Sequence, residues 1–159
     1  MLTSEDKIEI EERFPHYPTK RAVCIEALKV VQKRHGWVND EAIADIAALL
    51  EMSSDDLDAI ATFYNMIFRK PVGQHVILVC DSVSCWIMGY KRLREHLTEK
   101  LGITLGETTP DGKFTLLPNV CLGACDHAPV LMVDNDTHGD VTTEKIDALL
   151  DGYAKKDGV

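Results

Sequence analysis

His75-Val-Ile-Leu-Val-Cys-Asp-Ser-Val-Ser-Cys85 decides how this chain is read. Its first six residues are a near-continuous β-branched and aliphatic run, the pattern of a strand buried on both faces. A cysteine ends the strand, four residues intervene, and a second cysteine precedes a helical pattern. Upstream of His75 the apolar residues recur with the period of amphipathic helices. Downstream, strand-like and helical runs alternate. His75 therefore marks the passage from a helical domain to a mixed one, with cysteines at the end of its first strand.

Cys121-Leu-Gly-Ala-Cys125 answers that stretch. It too follows a strand-like run, Lys113 to Pro118, with Pro118 at the end where a missing N–H does least harm. The spacings are Cys-x4-Cys and Cys-x3-Cys, with 35 residues between the pairs. Fe–S clusters are held by thiolates, and a 2Fe–2S cluster needs four, two for each iron. Cys80, Cys85, Cys121 and Cys125 are thus the candidate ligands. Structural zinc usually takes at least one tighter Cys-x2-Cys knuckle, which neither pair supplies. A four-sulfur zinc site in a non-redox interaction module is the competing reading. A thioredoxin-type dithiol would want Cys-x-x-Cys beside a helix start, and none is present.

The surroundings suit a cluster. A helix after Cys85 would turn free N–H groups toward a sulfur. Gly123 lets the second loop curl tightly, so that its N–H groups face inward. Asp81 and Asp126 flank cysteines and would lower the reduction potential if close; otherwise they are solvated surface. His127 is either a hydrogen-bond donor toward the cluster or an exposed loop imidazole. Trp86 reads as a shield against water or as local packing. Cys24 lies on the apolar face of a helix and reads as a buried structural thiol.

The chain before His75 reads as a small bundle. Ser4, followed by Glu5 and Asp6, is a helix start. A second helix runs from Thr19 to His35, closed by Gly36. A third runs from Asp40 to Glu51, and a fourth begins after Ser53 or Ser54. Phe63, Tyr64 and Phe68 belong to an aromatic stretch that is either core packing or a docking surface. Arg69 to Gly73 reads as a linker. Beyond the first strand come a helix from Met88 to Leu101, a strand over 113–118 and another over 129–134. A turn follows over Asn135–Gly139, then a short strand around Asp140-Val141 and a last helix capped by Thr142 or Thr143. Residues 154–159 are expected to fray.

Composition narrows the function. The 159 residues carry a net charge of −9 with pI about 5.0, which argues against a nucleic-acid surface. No run approaches the roughly 20 apolar residues that span a bilayer. The start, Met1-Leu-Thr-Ser-Glu-Asp-Lys7, lacks the apolar core of an export signal, so a reducing compartment is expected, where disulfides are rare. The five cysteines are an odd number, which also fits internal disulfides poorly. There is no Gly-x-Gly-x-x-Gly, Walker loop, His-Glu-x-x-His or Gly-x-Ser-x-Gly. No catalytic residue is expected; the chain reads as an electron carrier rather than a complete catalyst.

The cysteine spacing, Cys-Leu-Gly-Ala-Cys over 121–125, Thr-Pro-Asp-Gly-Lys-Phe over 109–114 and Ala-Thr-Phe-Tyr over 61–64 together resemble the family of E subunits of NADH:quinone oxidoreductase, the bacterial respiratory complex I. The resemblance spans about residues 8–153 and implies an α+β fold. Residues 1–70 would form a helical bundle, and residues 74–159 a thioredoxin-like α/β domain with a small mixed sheet. It implies one 2Fe–2S cluster on Cys80, Cys85, Cys121 and Cys125. It also implies a partner flavoprotein that binds NADH and FMN and exchanges one electron at a time with the cluster, as a side store. The location implied is the peripheral arm of the complex, on the cytoplasmic side of the inner membrane. The same type of protein occurs in NAD-linked formate dehydrogenases and NAD-reducing hydrogenases.

Overall fold

The computed structural model describes residues 2–156. The chain divides into two compact units, Met1–Pro71 and Val72–Val159.

The first unit is built from α1 (Ser4–Glu11), α2 (Cys24–His35), α3 (Asp40–Leu49) and α4 (Ser54–Phe63). The cap of α1 lies one residue before the expected Ser4. Thr3 accepts the Asp6 N–H at 3.1 Å, and the Asp6 carboxylate accepts the Thr3 N–H at 2.9 Å, a reciprocal capping box. α2 begins later than Thr19. That residue makes no side-chain cap bond, and a 3-10 turn, Lys20–Val23, precedes the helix. Asn39 caps α3 and Ser53 caps α4 through side-chain bonds to the Ala42 and Asp56 N–H groups. Their apolar stripes meet in one core that includes Ile10, Leu28, Ile46 and Leu57, with Cys24 buried among them. Each of those four side chains is fully buried, which contributes roughly 1.5–3 kcal/mol apiece.

Arg69 does not belong to a free linker. Its guanidinium donates to Asp58 at 2.7 Å, to Asp40 at 2.6 Å and to the Val38 carbonyl. The other end of the connection is pinned to the second unit. The Gly73 N–H donates to Thr115 Oγ1 at 2.6 Å, and a Cβ on Gly73 would stand 2.9 Å from the Gly112 oxygen. Only glycine admits so close a backbone approach.

The second unit contains β1 (His75–Cys80), α5 (Val83–Ile87), α6 (Tyr90–Leu101), β2 (Phe114–Asn119), β3 (Leu131–Val133), β4 (Asp136–His138) and α7 (Thr143–Lys156). The sheet order is β2-β1-β3-β4, parallel between β1 and β2 and antiparallel elsewhere. β1 is central and buried from Val76 onward. Ile77 and Val79 pack with Leu93 and Leu97 of α6 and Ile146 and Leu150 of α7. Pro118 is tolerated inside β2 because that strand is an edge.

Several elements of this unit differ from expectation. The helix expected from Met88 is α6, which begins at Tyr90 after Gly89 at φ +116°, and a separate short helix, α5, precedes it. The last strand is Asp136–His138, not Asp140-Val141. The turn is only Asp134-Asn135, with Asp134 at φ +54° and Val133 paired to Asp136. Residues 154–156 continue α7, and residues 157–159 lie outside the described residues.

Candidate functional site

Parallel pairing brings the two cysteine loops together. β1 and β2 run in register, with Cys80 opposite Asn119. Their C-terminal ends therefore lie side by side, and each strand leads directly into a cysteine loop. Ligand sites in open α/β sheets gather at such carboxyl ends.

The two pairs differ in exposure. Cys80, the last residue of β1, and Cys85 are buried, whereas Cys121 and Cys125 are exposed. Cys85 lies inside α5 rather than before it; this five-residue helix turns Cys85 inward and Val83, Trp86 and Ile87 outward. In the second loop the Cys121 and Cys125 sulfurs are 3.7 Å apart. Two thiolates on one tetrahedral metal, at about 2.3 Å each, stand about 3.8 Å apart. Gly123, at φ +81°, aims its N–H at the Cys121 sulfur from 3.4 Å. Between the loops, the Cys80 thiol reaches the Val120 carbonyl at 3.9 Å.

The thiols also feel one another electrically. The Gly123 N–H, then the Cys125 thiol, hold Cys121 below the ordinary thiol range, with smaller help from Cys80 and Ser82. Cys125 is pushed up, first by its hydrogen bond with Cys121 and then by the charge there. Burial first, and the Cys80 thiol second, push Cys85 up to about 11, with a contribution from Cys125. All four sulfurs thus share one neighbourhood. Among the described residues no three His, Cys, Asp or Glu side chains converge as a site for a single ion. The candidate donors are four sulfurs in two pairs, the number of thiolates that a 2Fe–2S cluster needs.

His127 points its ring nitrogens elsewhere. Nδ1 meets the Asp140 carboxylate at 2.9 Å and Nε2 meets Asp126 at 3.4 Å. The bond to Asp140, then the Asp126 charge, raise its pKa. It is an exposed, carboxylate-paired imidazole and not a donor to sulfur. Trp86 is 67% exposed rather than packed against its own unit. With Val83, Ile87, Met88 and Val120 it gives the cysteine loops an exposed apolar fringe. In the first unit Phe63, Tyr64 and Met66 are exposed, and the Phe63 and Tyr64 rings pack edge to face at 5.3 Å. Phe68 is half-buried, its N–H bound to Gln32.

Asn119 joins the site without having been expected there. Its carbonyl accepts the Asp81 N–H at 3.0 Å, and its side-chain amide donates to the Cys121 carbonyl at 3.2 Å. No local motif marks such a residue; the parallel register gives it its place.

Residues 10–154 match the model of the thioredoxin-like [2Fe-2S] ferredoxin family. The chain belongs to that family. Among its relatives is the NADH-quinone oxidoreductase E subunit of Pseudomonas aeruginosa, 50% identical over 153 residues, which cover 96% of this chain and 92% of the relative. The Escherichia coli protein of the same name is 51% identical over 152 residues, with 96% and 92% covered. These relatives are subunits of an oxidoreductase. A solved NAD+-reducing [NiFe]-hydrogenase in the H2-reduced state matches with a TM-score of 0.68 and 23% identity, over 80% of this chain and 22% of that longer one. That likeness concerns the fold, which is α+β with a thioredoxin-like second unit.

Proposed function

We propose that this thioredoxin-like ferredoxin is the electron-transferring E subunit of an NADH:quinone oxidoreductase. It carries one 2Fe–2S cluster on Cys80, Cys85, Cys121 and Cys125 and exchanges single electrons with the FMN of an NADH-oxidising flavoprotein. One observation carries the reading. Two cysteine pairs emerge side by side from parallel strands, in a chain half-identical to the E subunits of that complex over nearly its whole length.

The cluster, when bound, supplies one-electron redox chemistry. The chain supplies the rest. Cys80 and Cys85 anchor it in the core, while Cys121 and Cys125 bring it to the surface, where a donor can approach. The Gly123 N–H favours negative charge on the Cys121 sulfur and so favours the reduced state. The apolar fringe around Trp86 and the aromatic face of Phe63 and Tyr64 offer the flavoprotein the side-chain types that fill interface cores. The arm of the complex carrying this protein would lie on the cytoplasmic side of the membrane. Among the described residues no helix is long and apolar enough to cross it.

The equivalent component of an NAD-linked formate dehydrogenase or NAD-reducing hydrogenase would use the same site. The relatives' names favour the quinone oxidoreductase. EPR before and after dithionite, with iron and sulfide counted on the same sample, tests the cluster. A signal appearing only on reduction, with about two irons and two sulfides per chain, is expected. Bound zinc without sulfide would replace this reading with the interaction module. Co-purification with the flavoprotein tests the partner.

A further inference from the structure

We propose that Asn119 is a positioning residue that holds the two cysteine loops in the arrangement the cluster requires. The inference rests on the ligand assignment above and concerns a side chain outside it.

Asn119 stands where the loops diverge. It is the last residue of β2, paired with Cys80 across the parallel ladder, and 9% exposed. Its main chain holds the first loop, through the Asp81 N–H at 3.0 Å. Its side chain holds the second, through the Cys121 carbonyl at 3.2 Å. Both bonds fall on residues at or next to a cysteine. The second loop needs such a tie, because Cys121 and Cys125 are exposed and no strand continues through them. Fixing the Cys121 carbonyl fixes the start of the turn that aims the Gly123 N–H at the Cys121 sulfur. Groups that orient ligands without touching the metal typically change metal retention about ten- to a hundredfold when removed.

Two variants separate donation from packing. Asn119→Asp keeps the volume but loses the donated hydrogen bond; Asn119→Ala loses both without adding charge. Each is compared with the parent for iron loss to EDTA, for the reduced EPR spectrum and for thermal unfolding of the metal-free chain. Both variants are expected to lose iron about tenfold faster, with broadened EPR lines and a metal-free melting curve close to the parent's. Parent-like iron loss and EPR in both variants would overturn the proposal. So would an Asn119→Asp variant that behaves as the parent while Asn119→Ala does not, since packing alone would explain that. Loss of the folded metal-free chain in both variants would also overturn it, making Asn119 a general structural residue. A parent chain lacking iron and sulfide would instead bring down the cluster reading, and this one with it.

Discussion

Cys121 and Cys125 face each other across a single turn, their sulfurs 3.7 Å apart, and Gly123 between them donates its N–H to the Cys121 sulfur. The pair is already near the separation of two thiolates on one iron. Replacing Cys80, Cys85, Cys121 or Cys125 with serine is expected to remove or destabilise the cluster, read from the visible spectrum and iron content. Cys24→Ser is expected to keep both, because Cys24 is packed in the core of the other unit. An unchanged spectrum in any of the four would remove that residue from the ligand set. Iron loss in the Cys24 variant would add a ligand.

Two glycine substitutions should fail for different reasons. At Gly123 an added Cβ meets nothing within 4 Å, so Gly123→Ala pays only for its φ of +81°, about 1–2 kcal/mol. The strain falls on the turn that carries Cys121 and Cys125, so iron retention should suffer and metal-free stability should fall by no more than that amount. At Gly73 the Cβ would press on the Gly112 and Lys113 backbone. Gly73→Ala should therefore lower the stability of the second unit by about 1–3 kcal/mol. Equal melting curves for Gly73→Ala and the parent would show that this approach can relax freely.

How much of this was legible depends on the range of the forces involved. Burial of β1 on both faces writes itself as a continuous apolar run, so that strand could be read residue by residue. β4 could not, because Asp136-Thr-His138 is a polar edge segment placed by its hairpin partner β3. α5 is too short to show a helical period. The Thr3-x-x-Asp6 capping box was visible in the sequence, but Ser4 beside it is an equally good capping type. Arg69 looked like linker because its partners Asp58 and Asp40 lie far away in the chain. The four cysteines could be singled out as candidate ligands because their chemistry is rare. The tie made by Asn119 exists only once two distant strands are paired.

Exposed apolar groups on a monomer usually await a partner when they cluster. Trp86→Asp should weaken co-purification with the flavoprotein while leaving the cluster's spectrum intact, since Trp86 points away from the core that holds Cys85. Phe63→Asp and Tyr64→Asp test the helical unit in the same way. Undiminished co-purification in all three would exclude both faces as the docking surface.

Asp6 ties the stability of the helical unit to pH. Burial alone would push its carboxyl up. The Thr3 N–H and hydroxyl, His35 and the Arg34 guanidinium at 2.6 Å outweigh burial and hold it below the usual range. A carboxyl lowered in the folded state stabilises the fold above its unfolded pKa, and that stabilisation is lost as pH falls through the folded value. Asp6→Ala removes the carboxylate half of the capping box and the shortest of the ion pairs of Arg34, which should cost about 2 kcal/mol near neutral pH. The gap between parent and variant should close on acidification below the ordinary carboxylate pKa of about 4, and should not widen there. Denaturant midpoints across that range decide it. A gap that stays constant through the acid range would mean that Asp6 acts through packing and neutral hydrogen bonds, not through its charge.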